Sequence, residues 1–237
     1  MQISKLLENI DQKYKSHNFK DIKFDSRKCK RGDIFIAIDG TKRNGNIYIN
    51  NAIKNNAKTI ISNKKYQGFK KDILFIHNKN PRKLLAKLSS KIYSKKPNNL
   101  IAVTGTNGKS SIANFFHQIL QLNNKSVSSI GTLGVAINKK KYVTSNTTLN
   151  SLSINKYLQI IKKNRINNVI LEASSHGLKQ HRLDYIKFDL GIFTNLSRDH
   201  LDYHKSFKDY LKSKLILFKK LMKKKSKIIF KNNIDQS

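Results

Sequence analysis

The sequence predicts an α/β protein of two domains: a small α/β domain over residues 1–97, then a phosphate-loop domain with a parallel sheet over 98–237. Three observations predict it. From Leu100 onward, apolar strand-like runs alternate with helical patterns, the rhythm of a parallel sheet wrapped by helices. A glycine turn stands between the first of those strands and a helix. A polar stretch containing a proline, Lys95-Lys96-Pro97-Asn98-Asn99, separates this pattern from the residues before it.

In the first domain the patterns are a short opening helix at Ile3–Ile10 and strands at Ile34–Ile38, Thr59–Ser62 and Ile73–Ile76. Helices are expected at Ile47–Asn56 and Arg82–Tyr93, the second starting just after Pro81 with Leu84, Leu85 and Leu88 at helical spacing. In the second domain the order is strand Leu100–Thr104, helix Lys109–Leu122, extended Val127–Ile137, helix Leu152–Lys163 and strand Val169–Ala173. Strand Phe188–Thr194, helix Phe207–Leu221 and strand Ile228–Phe230 complete it. The last strand lies close to residue 237, so a complete nucleotide-binding sheet of this kind is expected to need further sequence.

There are 48 Lys and Arg against 14 Asp and Glu, a formal charge of +34 that invites a nucleic-acid reading. Only seven of the basic residues are arginine, and the lysines are spread along the whole chain with no aromatic RNA-binding strand or zinc-finger spacing beside them. No specific nucleic-acid partner is therefore expected, although charge alone gives weak, salt-sensitive binding to polyanions. The absence of a long apolar run argues against a membrane span. The first nine residues lack a secretory h-region, and the single cysteine, Cys29, cannot form an internal disulfide. Both point to a cytoplasmic protein.

The segment Thr104-Gly105-Thr106-Asn107-Gly108-Lys109-Ser110-Ser111 carries the chemistry of a phosphate loop. Glycines let the backbone curl so that successive N–H groups face anionic oxygens, and the helix N-terminus adds partial positive charge. Lys109 would reach the terminal phosphates and Ser110 would offer its hydroxyl to Mg²⁺. The common spacing of four residues between glycines would need glycine at Val103, so a plain glycine turn capping a helix stands as the alternative. His200 and His204 are four apart, but no glutamate completes a helical zinc pattern around them.

Two residues between the glycines, as in Thr104–Ser110, is the form found in Mur ligases and folylpolyglutamate synthetases. Asn146-Thr147-Thr148, Leu171-Glu172-Ala173-Ser174-Ser175-His176-Gly177-Leu178 with Gln180 and Arg182, and Thr194–His204 follow in order. Upstream stand Phe24-Asp25-Ser26-Arg27 and Gly32-Asp33-Ile34-Phe35. Together they resemble the Mur ligases, in particular the branch that adds a diamino acid to UDP-N-acetylmuramoyl-L-alanyl-D-glutamate in peptidoglycan synthesis. The resemblance implies a UDP-binding first domain, an ATPase second domain and a C-terminal amino-acid domain that this stretch of sequence does not include.

That resemblance implies an ATP-dependent ligase acting through an acyl-phosphate, with Mg²⁺ held by Ser110, Glu172 and His200. ATP would lie on Gly105, Thr106, Asn107, Gly108, Lys109, Ser110 and Ser111. Phe24, Ser26, Thr41, Lys42 and Arg43 would hold the uridine end of the precursor. Asn146, Thr147, Thr148, Ser174, Gln180 and Arg182 would hold its muramoyl-peptide end. Leu149 stands where many members have proline, which implies a less rigid loop. A monomer is expected. The 237 residues alone are expected to bind precursor without making tripeptide; a catalytically silent binding module is the competing reading.

Lys214 is the last candidate. Phe207, Tyr210, Leu211, Leu215 and Phe218 recur at helical spacing, and Lys214 falls on their stripe while Lys208, Lys212 and Lys219 do not. An inward lysine loses charge to burial and can then take up CO₂; the alternative is a lysine that snorkels its ammonium to water. Tyr210 followed four residues later by Lys214 and an apolar run matches the family's carbamylated segment, which implies that Lys214 becomes a carbamate and a metal ligand.

Overall fold

The computed structural model describes residues 1–8, 10–40, 44–137, 140–144 and 146–230, and divides into two units, Met1–Leu88 and Ser89–Ser237. The polar stretch Lys95–Asn99 thus lies inside the second unit rather than at this division. Thr41, Lys42 and Arg43 lie outside the described residues.

The first unit contains β1 (Ile22–Lys23), β2 (Ile34–Ile36), α1 (Ile49–Lys54), β3 (Thr59–Ser62), β4 (Gly68–Lys70) and β5 (Ile73–His77). Its sheet has the order β1-β2-β3-β5-β4, parallel except for the β4–β5 pair. Phe35 and Ile60 turn to one face to pack with Ile49 and Ala52 of α1. The expected opening helix is only a 3₁₀ turn, Ile3–Lys5. Its backbone is engaged at long range instead: the Ile3 amide donates to the His17 carbonyl and the Phe19 amide to that of Met1. Helix α2 (Pro81–Ile92) follows β5.

The second sheet is built from β6 (Asn99–Thr104), α3 (Lys109–Leu122), β7 (Val127–Gly131), β8 (Gly134–Ile137), β9 (Lys140–Tyr142), α4 (Ser151–Lys163) and β10 (Asn168–Glu172). After these come α5 (Ser175–Lys179), β11 (Phe188–Phe193), α6 (Phe207–Ile216), a π turn at Leu217–Leu221 and β12 (Met222–Phe230). The order is β12-β11-β6-β10-β7-β8-β9, with the five strands from β12 to β7 parallel. The extended run at 127–137 is two antiparallel strands.

Alternation along the central strands makes two cores. Leu100 and Ala102 of β6 join Ile154, Leu158 and Ile161 of α4 on one face, while Ile101 and Val103 meet Ala113 of α3 on the other. Burying each of those large α4 side chains contributes roughly 1.5–3 kcal/mol. Leu149 is buried in the α4-side core. Asn150 and Ser206 cap α4 and α6 through their side chains.

From β6 the chain moves outward to β7, returns to β10 beside β6, then crosses to β11 on the far side of β6. The connections leaving β6 and β10 therefore run in opposite directions, which opens a crevice at the carboxyl ends of these two strands.

Candidate active site

A cleft of about 260 Å³ occupies that crevice, lined by residues of the β6–α3 turn and by Thr132, Thr147, Glu172, Ser174, His200 and Lys214 among others. The turn is the predicted phosphate loop. Thr106, Asn107, Gly108, Lys109, Ser110 and Ser111 all line the cleft, and α3 begins at Lys109 after Gly108 in left-handed backbone. Gly105 has φ +149°, and a Cβ there would sit 1.8 Å from Thr194 Oγ1. Only glycine fits that position. The loop is held from β11's end: Thr106 N donates to the Asn195 carbonyl, Asn107 N to Asn195 Oδ1 and Thr194 Oγ1 to the Asn107 carbonyl.

Glu172 is the last residue of β10 and only 1% exposed. Its carboxylate accepts from Ser110 Oγ at 2.8 Å, from the Thr132 amide at 2.9 Å and from Thr132 Oγ1 at 3.1 Å. Gly131 makes room for it, since a Cβ there would lie 2.1 Å from Glu172 Oε1. Thr132 went unnoticed in the sequence, although a Gly-Thr pair closing a strand at the functional edge of a parallel sheet is a usable signal.

Lys214 is 1% exposed and does not snorkel. Its Nζ donates to the Gly105 carbonyl at 2.6 Å and lies 4.3 Å from the centre of the Tyr210 ring. Burial, reinforced by the nearby Lys109 charge, pulls its pKa down to about 7, with Asp199 opposing. The buried face of α6 is Tyr210, Ser213 and Lys214, continued by Leu217. Leu211, Leu215 and Phe218 instead line an apolar hollow with Phe193 and Phe230. The stripe that singled out Lys214 thus merged two faces.

Lys109 Nζ donates to the carbonyls of Gly105 at 2.8 Å and Thr106 at 2.6 Å. Burial lowers its pKa, opposed by Glu172 and Asp199. The Tyr210 hydroxyl lies 3.1 Å from Thr106 Oγ1, which also receives the Ser197 amide. His200 has left-handed backbone, φ +53°, and faces the cleft. His204 is buried and bonded to Ser175, so the two histidines are not a helical zinc pair.

The expected precursor residues divide. Thr147 and Ser174 line the cleft. Thr148 is 2% exposed, with its hydroxyl bonded to the Glu172 carbonyl and to Ser174. Gln180 bonds Tyr203 and Arg182, Arg182 also reaches the Thr148 carbonyl, and Asn146 is exposed. In the first unit Ser26 is buried and starts a 3₁₀ turn capped by Asp25, while Phe24 is 36% exposed. The larger cavity there, about 720 Å³ between α1 and β5, is lined by neither. It carries lysines and apolar groups but no carboxylate or imidazole, so size does not mark the chemistry.

Among the described residues no group of three or more His, Cys, Asp and Glu is placed to hold a metal. The donor set at Glu172 and Ser110 is one carboxylate and one hydroxyl. That fits Mg²⁺, which commonly takes one or two carboxylates and completes its shell with water and phosphate oxygens, and does not fit a closed zinc site.

A glycine turn between strand and helix at a sheet reversal, faced by a buried carboxylate and a buried lysine, defines the candidate site of a doubly wound α/β protein. The model of the Mur ligase middle domain matches residues 103–237, and the chain belongs to the Mur ligase family. It is 40% identical over 214 residues to the UDP-N-acetylmuramoyl-L-alanyl-D-glutamate--2,6-diaminopimelate ligase of Rickettsia conorii, covering 89% of this chain and 44% of that protein. The protein of the same name from Buchnera aphidicola subsp. Schizaphis graminum is 38% identical over 221 residues, 90% of this chain and 44% of that protein. The chain thus spans under half the length of these relatives. A solved structure of a ligase of that name superposes with TM-score 0.82 at 26% identity, covering 99% of this chain and 54% of the other. A MurF ligase from Thermotoga maritima in complex with ADP, 19% identical at TM-score 0.60 over 89% of this chain and 45% of the other, shares the fold. Among the described residues no helix is long and apolar enough to cross a membrane.

Proposed function

We propose that this chain supplies the precursor- and ATP-binding parts of an ATP-dependent ligase that joins meso-diaminopimelate to UDP-N-acetylmuramoyl-L-alanyl-D-glutamate. The observation that carries the reading is the convergence of Lys109, Ser110, Glu172 and Lys214 on one phosphate loop at the sheet reversal. The first unit, with Phe24 and Ser26, takes the uridine end of the precursor.

In such a reaction the precursor carboxylate takes the γ-phosphoryl group of ATP, and the incoming amine then displaces phosphate from the acyl-phosphate. Both steps concentrate negative charge, which fixed cations and amides stabilise without reorganising. Lys109 turns from its loop carbonyls toward the phosphates, and the loop amides with the start of α3 cradle them. Ser110, Glu172 and His200 would hold Mg²⁺, which when bound would neutralise phosphate charge. The neutral Lys214 amine forms an N–C bond to CO₂ and releases one proton; the resulting carbamate puts a buried anion suited to a metal where the amine stood. Thr147 and Ser174 orient the peptide end of the precursor, with Gln180 and Arg182 completing that side.

The test is a ligation assay in the longer ligase that carries these residues, with tripeptide product read by mass spectrometry. Lys214→Ala is expected to reduce turnover by about 10³-fold or more, the scale of losing an electrostatic group in the transition state. A short-chain carboxylic acid is expected to restore part of it. Full turnover in Lys214→Ala without added acid contradicts the role, and absence of tripeptide in the unaltered ligase contradicts the function.

A further inference from the structure

His204 has no part in the ligand contacts above, yet it is among the least exposed polar residues of the chain, at 1%. It lies between α5 and α6. Nε2 is 3.0 Å from Ser175 Oγ, in the first turn of α5. Nδ1 is 3.4 Å from Ser213 Oγ and 3.6 Å from Asp209 Oδ2, both on α6. The ring also packs against Tyr210, with centroids 5.1 Å apart.

The hydrogen bonds fix the proton. Ser213 Oγ donates its only hydrogen to the Asp209 carbonyl at 2.8 Å, so toward His204 it can only accept. The Asp209 carboxylate likewise only accepts, and the Lys179 ammonium at 2.5 Å keeps it ionised. Nδ1 therefore carries the hydrogen. In the neutral ring Nε2 is then an acceptor, and Ser175 must donate to it. Burial, and after it the Lys179 charge, lowers the ring's pKa, with Asp209 opposing.

Each end of this imidazole leads to one wall of the cleft. Ser175 follows Ser174, which caps α5 and bonds Thr148, whose hydroxyl in turn bonds the Glu172 carbonyl. Ser213 precedes Lys214, and Tyr210 on the same face touches the phosphate loop through Thr106. We propose that His204 is a positioning residue: a two-ended strut whose Nδ1–H tautomer sets Lys214 and its helix in register against the wall that carries Glu172 and Ser174. Its consequence for turnover rests on the reading of Lys214 given above; the strut and its tautomer do not.

The test has two parts, both on the chain as it stands. In ¹⁵N-histidine-labelled protein the ring nitrogens of His204, assigned by their loss in His204→Phe, are expected to show the neutral Nδ1–H form, the reverse of what a free imidazole in water favours. A neutral Nε2–H form overturns the strut. Then ¹³CO₂ uptake at Lys214, assigned by its loss in Lys214→Arg, is followed as a carbamate signal beside thermal melting. His204→Phe keeps ring packing but removes both hydrogen bonds, and is expected to lower uptake by about 10-fold or more, the scale of losing an outer hydrogen-bond partner. His204→Gln, whose amide oxygen can still accept from Ser175, is expected to recover much of it. Undiminished uptake in His204→Phe overturns the positioning role. Should that variant fail to fold, Ser175→Ala, which cuts only the Nε2 end, is expected to lower uptake in the same direction, and undiminished uptake overturns the role. No carbamate signal in the unaltered chain contradicts the Lys214 reading, while the tautomer still decides the strut.

Discussion

The sheet of the first unit runs β1-β2-β3-β5-β4, so each of its parallel crossovers moves the same way, whereas the sheet of the second reverses between β6 and β10. The units share a parallel, helix-covered architecture and differ in what lies at the strand ends. In the second, the reversal leaves a crevice, and into it fold a buried glutamate, a buried lysine and a phosphate loop. In the first, Phe24 and Ser26 sit in the connection after the edge strand β1, and neither lines the cavity of about 720 Å³ between α1 and β5. The lesson is that a reversal gathers side chains from several strands, whereas a one-way sheet must rely on its loops.

Gly105→Ala is the change expected to strain that contrast most. A Cβ forced against Thr194 Oγ1 in left-handed backbone combines overpacking with conformational strain, at a cost of about 3 kcal/mol. Chemical denaturation should show the second unit losing its stability while the first keeps its midpoint; equal loss in both would mean that the units do not unfold separately.

A much smaller effect is expected in the first unit from Asp25→Ala. Arg27, hydrogen-bonded beside it, holds the Asp25 carboxyl below its ordinary 3.8. A carboxylate depressed in the folded state stabilises above its unfolded pKa, and that contribution disappears as pH falls through the folded value. The Arg27 partner is exposed and water screens the pair, so the loss should stay within about 1 kcal/mol, present at neutral pH and vanishing below pH 3.8. Thermal melting of the two proteins against pH checks it: a difference that grows on acidification would have the wrong sign.

Much of the second unit was legible because its signals are local. The runs Leu100–Thr104 and Val169–Ala173 read as buried strands, observed at Asn99–Thr104 and Asn168–Glu172, and Gly105 to Lys109 as the turn between strand and helix. What the sequence hid depends on tertiary geometry. Thr132 acts only because β7 ends beside Glu172, and His204 only because α5 and α6 meet around it. Lys214 was singled out on a stripe that mixed two faces of α6; its neighbours on the true buried face include Ser213, a polar residue that periodicity passes over. Strands β1 and β9 are too short or too polar to register, and α5 spans little more than a turn.

The central claim, that nucleotide phosphates and Mg²⁺ meet at the β6–β10 reversal, is tested most directly by calorimetric titration of the chain with ATP over a range of Mg²⁺ concentrations, unaltered and as Glu172→Gln. Affinity in the unaltered chain is expected to rise with Mg²⁺, and Glu172→Gln to flatten that rise, with metal affinity lower by about 10-fold or more. An unchanged Mg²⁺ dependence in Glu172→Gln would contradict the account.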